Sequence, residues 1–191
     1  MPAIERPHDL EIGDTVTFSS SLPQNTLSGR SFRVTEVNSY EFSGVPYAEF
    51  TLESSDGSEI YMSIEDEGDG QYLTLSIELD DNTLETLFDV SEYESLFEMA
   101  RGYTLRTRNT PSALRGWVSD SYELKESEVE AVFKSGDFRK GAAKKPENFE
   151  FYLLLSTDGE YAIEIEDYGD DDEEVSVTVY HDFDAIASMT R

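Results

Sequence analysis

The sequence predicts a mainly β fold of the α+β class: two tandem, pseudo-repeated antiparallel β-units, of small-barrel or sandwich type, each closed by a short helix. Three observations predict it. Residues 50–70 (FTLESSDGSEIYMSIEDEGDG) return as residues 151–171 (FYLLLSTDGEYAIEIEDYGDD). Laid together without a gap, nine of the 21 positions agree, including Phe50 with Phe151 and Leu52 with Leu153. Self-similarity at this scale marks a repeated supersecondary unit. Apolar residues alternate with period two, most strictly at Leu73, Leu75, Ile77 and Leu79, as expected for strands with one buried face. Each copy also places Asp-Gly between alternating runs, at Asp56-Gly57 and Asp158-Gly159, a strong hairpin signal.

In chain order, residues 1–9 hold two prolines and no periodicity and read as a flexible tail. The first β-unit covers residues 10–100. Gly13-Asp14 turns the chain into a strand with Val16 and Phe18 on one face; residues 19–29 are a polar loop; residues 31–42 alternate, with a slip in parity between Val34 and Val37 that predicts a bulge. Gly44 to Pro46 turn the chain, the Asp56-Gly57 hairpin follows, and the strand of Leu73 to Leu79 ends in a helical segment. There Asp80 to Asn82 start a helix carrying Leu84, Leu87 and Phe88, and Ser91 is the expected N-cap for Tyr93, Leu96 and Phe97.

The second β-unit covers residues 101–191. Tyr103, Leu105 and Thr107 alternate with polar neighbours, residues 114–124 read as a long strand carrying Trp117, and Ser121-Tyr122-Glu123-Leu124 echoes Ser39-Tyr40-Glu41-Phe42. A lysine-rich insertion at 125–148 separates this from the second hairpin, with a strand at 129–133 and a loop at 136–146. Phe183, Ile186 and Met189 predict a short closing helix.

Charge bounds the function. The formal net charge is −28 over 191 residues. Such a chain repels DNA, RNA and anionic membranes, whose binding needs positive charge, so no direct nucleic-acid binding is expected. No apolar run approaches the roughly 18 residues of a membrane span, so no membrane insertion is expected. No basic start followed by an apolar run marks a signal peptide, and there is no cysteine; a cytoplasmic address follows as the expectation. Without cysteine, disulfides, thiolate metal sites and cysteine nucleophiles are ruled out. No cofactor-binding motif is present: neither a Walker loop, nor G-x-G-x-x-G, nor G-x-S-x-G occurs. The protein is therefore expected to be non-enzymatic, with cationic partners: a basic protein surface, a polyamine or a divalent cation.

The candidate partner-binding residues are the repeated acidic turns: Glu65, Asp66 and Asp69 in the first copy, Glu166, Asp167 and Asp170 in the second, extended by Asp171, Asp172, Glu173 and Glu174. The first six are also the candidate ligands for a hard cation, which wants several oxygens, although their spacing is not that of an EF-hand loop. The alternative is a solvated hairpin tip that keeps a sheet edge from aggregating. His181 reads as a partly buried structural histidine rather than a catalytic one. All five lysines (Lys125, Lys134, Lys140, Lys144 and Lys145) lie in the insertion with Arg139. Two readings suit them: a loop offsetting neighbouring acids, or a docking loop for an acidic partner or the protein's own acidic face.

The strings Gly13-Asp14-Thr15-Val16, Phe32-Arg33-Val34-Thr35-Glu36-Val37 and Tyr47-Ala48-Glu49-Phe50-Thr51-Leu52, followed by Asp56-Gly57, resemble a bacterial family known as domain of unknown function 4178, and the stretch from Phe149 to Leu153 carries the same pattern. The resemblance implies a small β-rich fold with no known activity. Genes of that family often neighbour those of phage-shock-protein-A-like membrane-stress proteins and polyamine-synthase-like proteins, which implies an accessory role in a membrane-stress system.

The expectation that follows is a binding or accessory protein presenting carboxylate-rich hairpins to a basic partner protein. Two alternatives stand beside it: a DNA-mimic inhibitor of a DNA-binding protein, and a divalent-cation or polyamine site between the two units.

Overall fold

The computed structural model describes residues 3–67, 70–170 and 172–191, with Asp66 and Glu67 described by backbone alone. The chain is mainly β. The strands are β1 (Thr15–Phe18), β2 (Ser31–Phe42), β3 (Val45–Ser54), β4 (Glu59–Glu67), β5 (Gly70–Glu78), β6 (Thr104–Arg106), β7 (Ser121–Ser135), β8 (Lys144–Leu155), β9 (Tyr161–Asp167), β10 (Glu173–His181) and β11 (Ile186–Thr190), and two helices, α1 (Asp81–Leu87) and α2 (Val90–Ser95), follow β5. They form one large antiparallel sheet in the order β11-β1-β2-β3-β4-β5-β10-β9-β8-β7-β6, and β2 also pairs with β7. Among the described residues no helix is long and apolar enough to cross a membrane.

The chain groups into two compact units. Unit 1 comprises Met1–Leu75, Val132–Glu147 and Tyr180–Arg191; unit 2 comprises Ser76–Ala131 and Asn148–Val179. The helices belong to unit 2, and the tip of the lysine-rich insertion belongs to unit 1.

In unit 1, Val16, Phe18, Phe32, Val34, Phe50, Leu52, Ile60 and Met62 are almost fully buried. The parity slip in β2 is a register shift between Val34 and Glu36 against β3, which returns Val37 to the buried face. The tail is held down rather than loose. Ala3 bridges to Thr190, Ile4 N–H donates to the Met189 carbonyl at 3.0 Å, and Pro7 is buried in a 3-10 turn. The C-terminal segment is not a helix: a 3-10 turn at Phe183–Ala185 leads into β11, which pairs with β1 and buries Met189. Apolar spacing of three residues fits a helix, but alternate residues of this short stretch serve an edge strand equally well.

The insertion is a strand extension rather than a loop. β7 and β8 run on through it, joined by a 3-10 turn at Phe138–Lys140. Gly136 makes the bend possible, with φ +92° and an added Cβ falling 2.6 Å from the Ala142 carbonyl oxygen. In unit 1 this tip is bonded to β2: Ser39 Oγ donates to Gly136 O at 2.6 Å, and Phe138 N–H donates back to Ser39 Oγ at 2.9 Å.

In unit 2, the core is Leu87, Phe88, Leu96, Leu105, Trp117, Tyr122, Leu124, Leu154, Ile163, Ile165 and Val177. Trp117 is not on a strand. It follows a 3-10 turn at Ser112–Leu114, and β7 begins only at Ser121. Gly116, at φ +84°, bends the chain there, which ends the expected long strand early.

The two Asp-Gly hairpins close in the same way within their own units. Ser54 Oγ donates to Asp56 Oδ1, and Ser58 N–H donates to that same oxygen at 3.0 Å. In unit 2, Ser156 Oγ donates to Asp158 Oδ1 at 2.5 Å and Glu160 N–H at 3.1 Å. The burial frame corrects the gapless self-match. Phe50, Leu52 and Ser54 are buried, and so are Tyr152, Leu154 and Ser156, whereas Phe151 and Leu153 are only half-buried. Along β3 and β8 the buried positions are therefore 102 apart, not 101, and a one-residue slip puts every side chain on the wrong face; across the hairpins their partners Met62 and Ile165 are 103 apart.

Candidate functional site

The site is built on unit 2, from α1, α2 and the start of β10. Both helices are too short to be stable alone, so caps and burial hold them. Asp80 caps α1 by accepting from Thr83 N–H at 2.7 Å. Asp89, not Ser91, caps α2, accepting from Ser91 N–H at 3.0 Å and Ser91 Oγ at 2.6 Å. The bonds from Thr83 and from Ser91, respectively, hold the two carboxyls below the usual carboxylate range. The turn between the helices is fastened by Arg108, whose N–H donates to Leu87 O at 2.6 Å and whose guanidinium meets Asp89 at 3.2 Å.

Leu87 and Leu96 point into the core, and the adjacent helix faces line a groove of about 410 Å3. Its apolar part is Leu84, Phe88, Val90, Tyr93 and Phe97, and its acidic part is Asp81, Glu85, Glu94 and Glu173. No basic side chain lines it among the described residues. Val90 stands 46% exposed there. Tyr93 is buried, donates its hydroxyl to Glu173 Oε2 at 3.0 Å, and packs edge-on to Phe97, which packs on Tyr152 at 5.1 Å. Burial first, and the Glu173 charge second, push the Tyr93 hydroxyl pKa up.

A carboxylate row runs into this groove. Strand register sets Tyr152, Ile165 and Val175 opposite one another, and two residues further along sets Glu150, Asp167 and Glu173 opposite one another. Residues two apart share a face, so the acidic row continues the buried row on the same side of the sheet. Directly opposed like charges are destabilising. The relief supplied within the unit comes from neutral donors: Tyr93 to Glu173, Gly169 N–H to Asp167 Oδ1 at 2.8 Å, and a long Tyr152 contact to Glu150 at 3.5 Å. Burial, then Glu150, push the Tyr152 hydroxyl up to about 12.

The structure distributes the sequence-predicted residues as follows. Asp167 and Glu173 join the row. Glu166 and Glu174 pair on the opposite face, where Tyr168 donates to Glu166 at 2.7 Å. Asp170 and Asp172 are exposed in the β9–β10 turn. Glu65 and Asp66 lie on β4, and Asp69 and Asp171 lie outside the described residues. Among the described residues no group of three or more His, Cys, Asp or Glu is placed to hold a metal ion. His181 is half-buried in unit 1 and meets Gln24 Oε1 at 3.1 Å.

No protein-family model, curated protein or solved structure matches this chain.

Sequence reasoning missed Asp81, Glu85, Glu94 and Glu150, and the groove itself. A signal for it exists. Leu84 to Phe88 reads LETLF and Tyr93 to Phe97 reads YESLF. In each, the leucine enters the core, while the glutamate and the phenylalanine three residues after it line the groove, Phe88 from a buried position.

Proposed function

We propose that this protein is a non-enzymatic, strongly acidic binding protein, and that unit 2 carries its surface for a basic partner protein. The single observation behind this reading is the groove: four carboxylates and five apolar side chains around one cavity with no basic lining residue. Its setting agrees. Unit 2 holds 24 acidic and five basic residues, a net −19, against 18 and nine, a net −9, in unit 1. A field of that sign raises the encounter rate with a cationic surface and is screened by salt.

We read the chain, further, as a duplicated β-unit. Support comes from the two hairpins, each closed by a Ser-x-Asp-Gly turn in which the serine hydroxyl bonds the aspartate, and from the burial pattern of β3, which β8 repeats 102 residues on.

The test is affinity capture with the tagged protein at low ionic strength, identification of what is retained, and a salt titration of the purified pair. The expected partner is basic, and its affinity falls steeply once the screening length drops to about 10 Å near 0.1 M salt. Affinity indifferent to salt would overturn the reading. Should the partner prove to be a DNA-binding protein displaced from DNA by this chain, the acidic surface acts as a mimic of the phosphate backbone.

A further inference from the structure

The chain shows, in unit 1, how it holds an arginine. The Arg139 guanidinium lies 5.0 Å from the centre of the Phe50 ring, while Asp137 accepts from its Nε at 2.8 Å and its Nη2 at 2.7 Å. Arg30 repeats the device, 5.5 Å over Phe32 with Asp56 at 2.6 Å. Each arginine thus takes one phenylalanine face and one carboxylate, which suits a planar cation that both stacks and forks.

The groove of unit 2 carries the same ingredients without the arginine. Phe97 and Tyr93 supply aromatic surface, Glu94 and Glu173 supply carboxylates, and Leu84 and Val90 supply an aliphatic wall. Resting on the basic-partner reading above, we infer that the groove takes an arginine of the partner protein, together with an aliphatic residue beside it in that protein's sequence. The guanidinium supplies a positive charge to the Glu150–Asp167–Glu173 row at its Glu173 end, where no basic side chain lines the groove among the described residues. The aliphatic neighbour covers Val90, which is otherwise exposed to water. Lysine fits less well, since its compact ammonium stays hydrated and cannot fork between two carboxylates.

The experiment is a titration of the isotope-labelled full chain, followed by amide shifts, with the capped tripeptide arginine-leucine-arginine. Parallel titrations use citrulline-leucine-citrulline, lysine-leucine-lysine and spermidine. The expected result is saturable shifts at Val90, Tyr93, Glu94, Phe97 and Glu173, with the lysine peptide several-fold weaker and the citrulline peptide silent. The variant E94Q/E173Q keeps the acceptor for the Tyr93 hydroxyl and is expected to weaken arginine-peptide binding at least tenfold. E126Q/E130Q makes the same charge change on β7 and is expected to alter it less than twofold. Equal losses in the two variants, or shifts spread evenly over the acidic surface, would show non-specific attraction and overturn the inference. So would spermidine saturating the same signals as tightly as the arginine peptide. If the captured partner loses affinity with salt but binds E94Q/E173Q unchanged, the basic-partner reading stands and the groove assignment falls.

Discussion

Unit 1 and unit 2 differ in how far their own cations match their negative charge. In unit 1 the acids near chain junctions are matched by the molecule's own cations. Arg139 joins Asp137 to the carbonyls of His8 and Leu10, Lys134 meets Glu41 at 2.7 Å, Lys140 meets Glu11 at 3.0 Å, and Arg191 meets Asp14 at 3.2 Å. In unit 2, Arg108 meets Asp89 and Lys125 meets Glu123, but the opposed carboxylates of Glu150, Asp167 and Glu173 accept from neutral donors, tyrosine hydroxyls and a backbone N–H group. Four of the five lysines, though flanked in sequence by unit 2, reside in unit 1. Charge satisfied internally serves the fold. Opposed like charges on neighbouring strands cost stability.

The comparison breaks most sharply at Arg139. The Asp137 side chain is only 10% exposed and the Arg139 side chain 24%, so R139A leaves a mostly buried carboxylate without its partner. The expected loss is about 3 kcal/mol in denaturant-monitored unfolding, the low end for a broken buried pair. R139K is expected to recover less than half of this, because lysine cannot serve Asp137 and two carbonyls with one planar fork. Next comes Gly136, which lets the tip fold back onto β2. G136A puts a methyl group against the Ala142 carbonyl at a backbone angle L-residues avoid, with an expected loss of about 1–3 kcal/mol. Both variants strike the self-paired unit and are expected to leave the groove's peptide binding intact at temperatures where the protein stays folded.

Unit 2 is expected to respond with the opposite sign. D167N removes one like charge from the middle of the row while keeping an oxygen that can accept from Gly169 N–H. Stability is expected to rise by about 0.2–1 kcal/mol, the scale of a cross-strand pair, and binding of a cationic partner to weaken. Added salt is expected to shrink the gain, since it screens the same repulsion. A loss of stability in D167N would mean that the row is internally compensated, and the contrast between the units would disappear.

Much of the fold was legible because strands declare themselves by period. Val34 and Val37 forecast the bulge in β2, Asp56-Gly57 and Asp158-Gly159 forecast both hairpins, and Leu84, Leu87 and Phe88 forecast α1. What misled were features in which one pattern has two physical outcomes. Phe183, Ile186 and Met189 fit a helix or an edge strand, and tertiary pairing with β1 chose the strand. Nine identities set Phe50 against Phe151, but burial follows the pleat, and it is Tyr152, not Phe151, that is buried as Phe50 is. The acidic residues were the least legible. Sequence drew attention to runs such as Asp170 to Glu174, of which Asp170 and Asp172 lie in a turn and Glu173 and Glu174 at a strand end. The row that matters joins Glu150, Asp167 and Glu173 across three strands, and only register places such residues together.

The smallest expected effect is on the pH limits of stability. In unit 1 the Arg139 hydrogen bonds hold the Asp137 carboxyl below its ordinary value. The unfolded chain takes up a proton first as pH falls, so this contribution is complete above about pH 4 and is lost as pH drops further. In unit 2, beside carboxyls that are lowered in the same way at Asp80 and Asp89, buried tyrosines are shifted upward. Unfolded tyrosine releases its proton near pH 10, whereas burial and Glu150 hold Tyr152 protonated to about 12, and Tyr93 is shifted in the same direction. The contribution is therefore complete below about pH 10 and is lost as pH rises toward 12. Phenolate absorbance followed against pH is expected to show Tyr93 and Tyr152 ionising late and together with unfolding. Y152F, which has no hydroxyl to ionise, is expected to retain its melting temperature further into the alkaline range. If Y152F and the parent chain lose stability at the same alkaline pH, Tyr152 does not feel Glu150, and the row is better screened than its register implies.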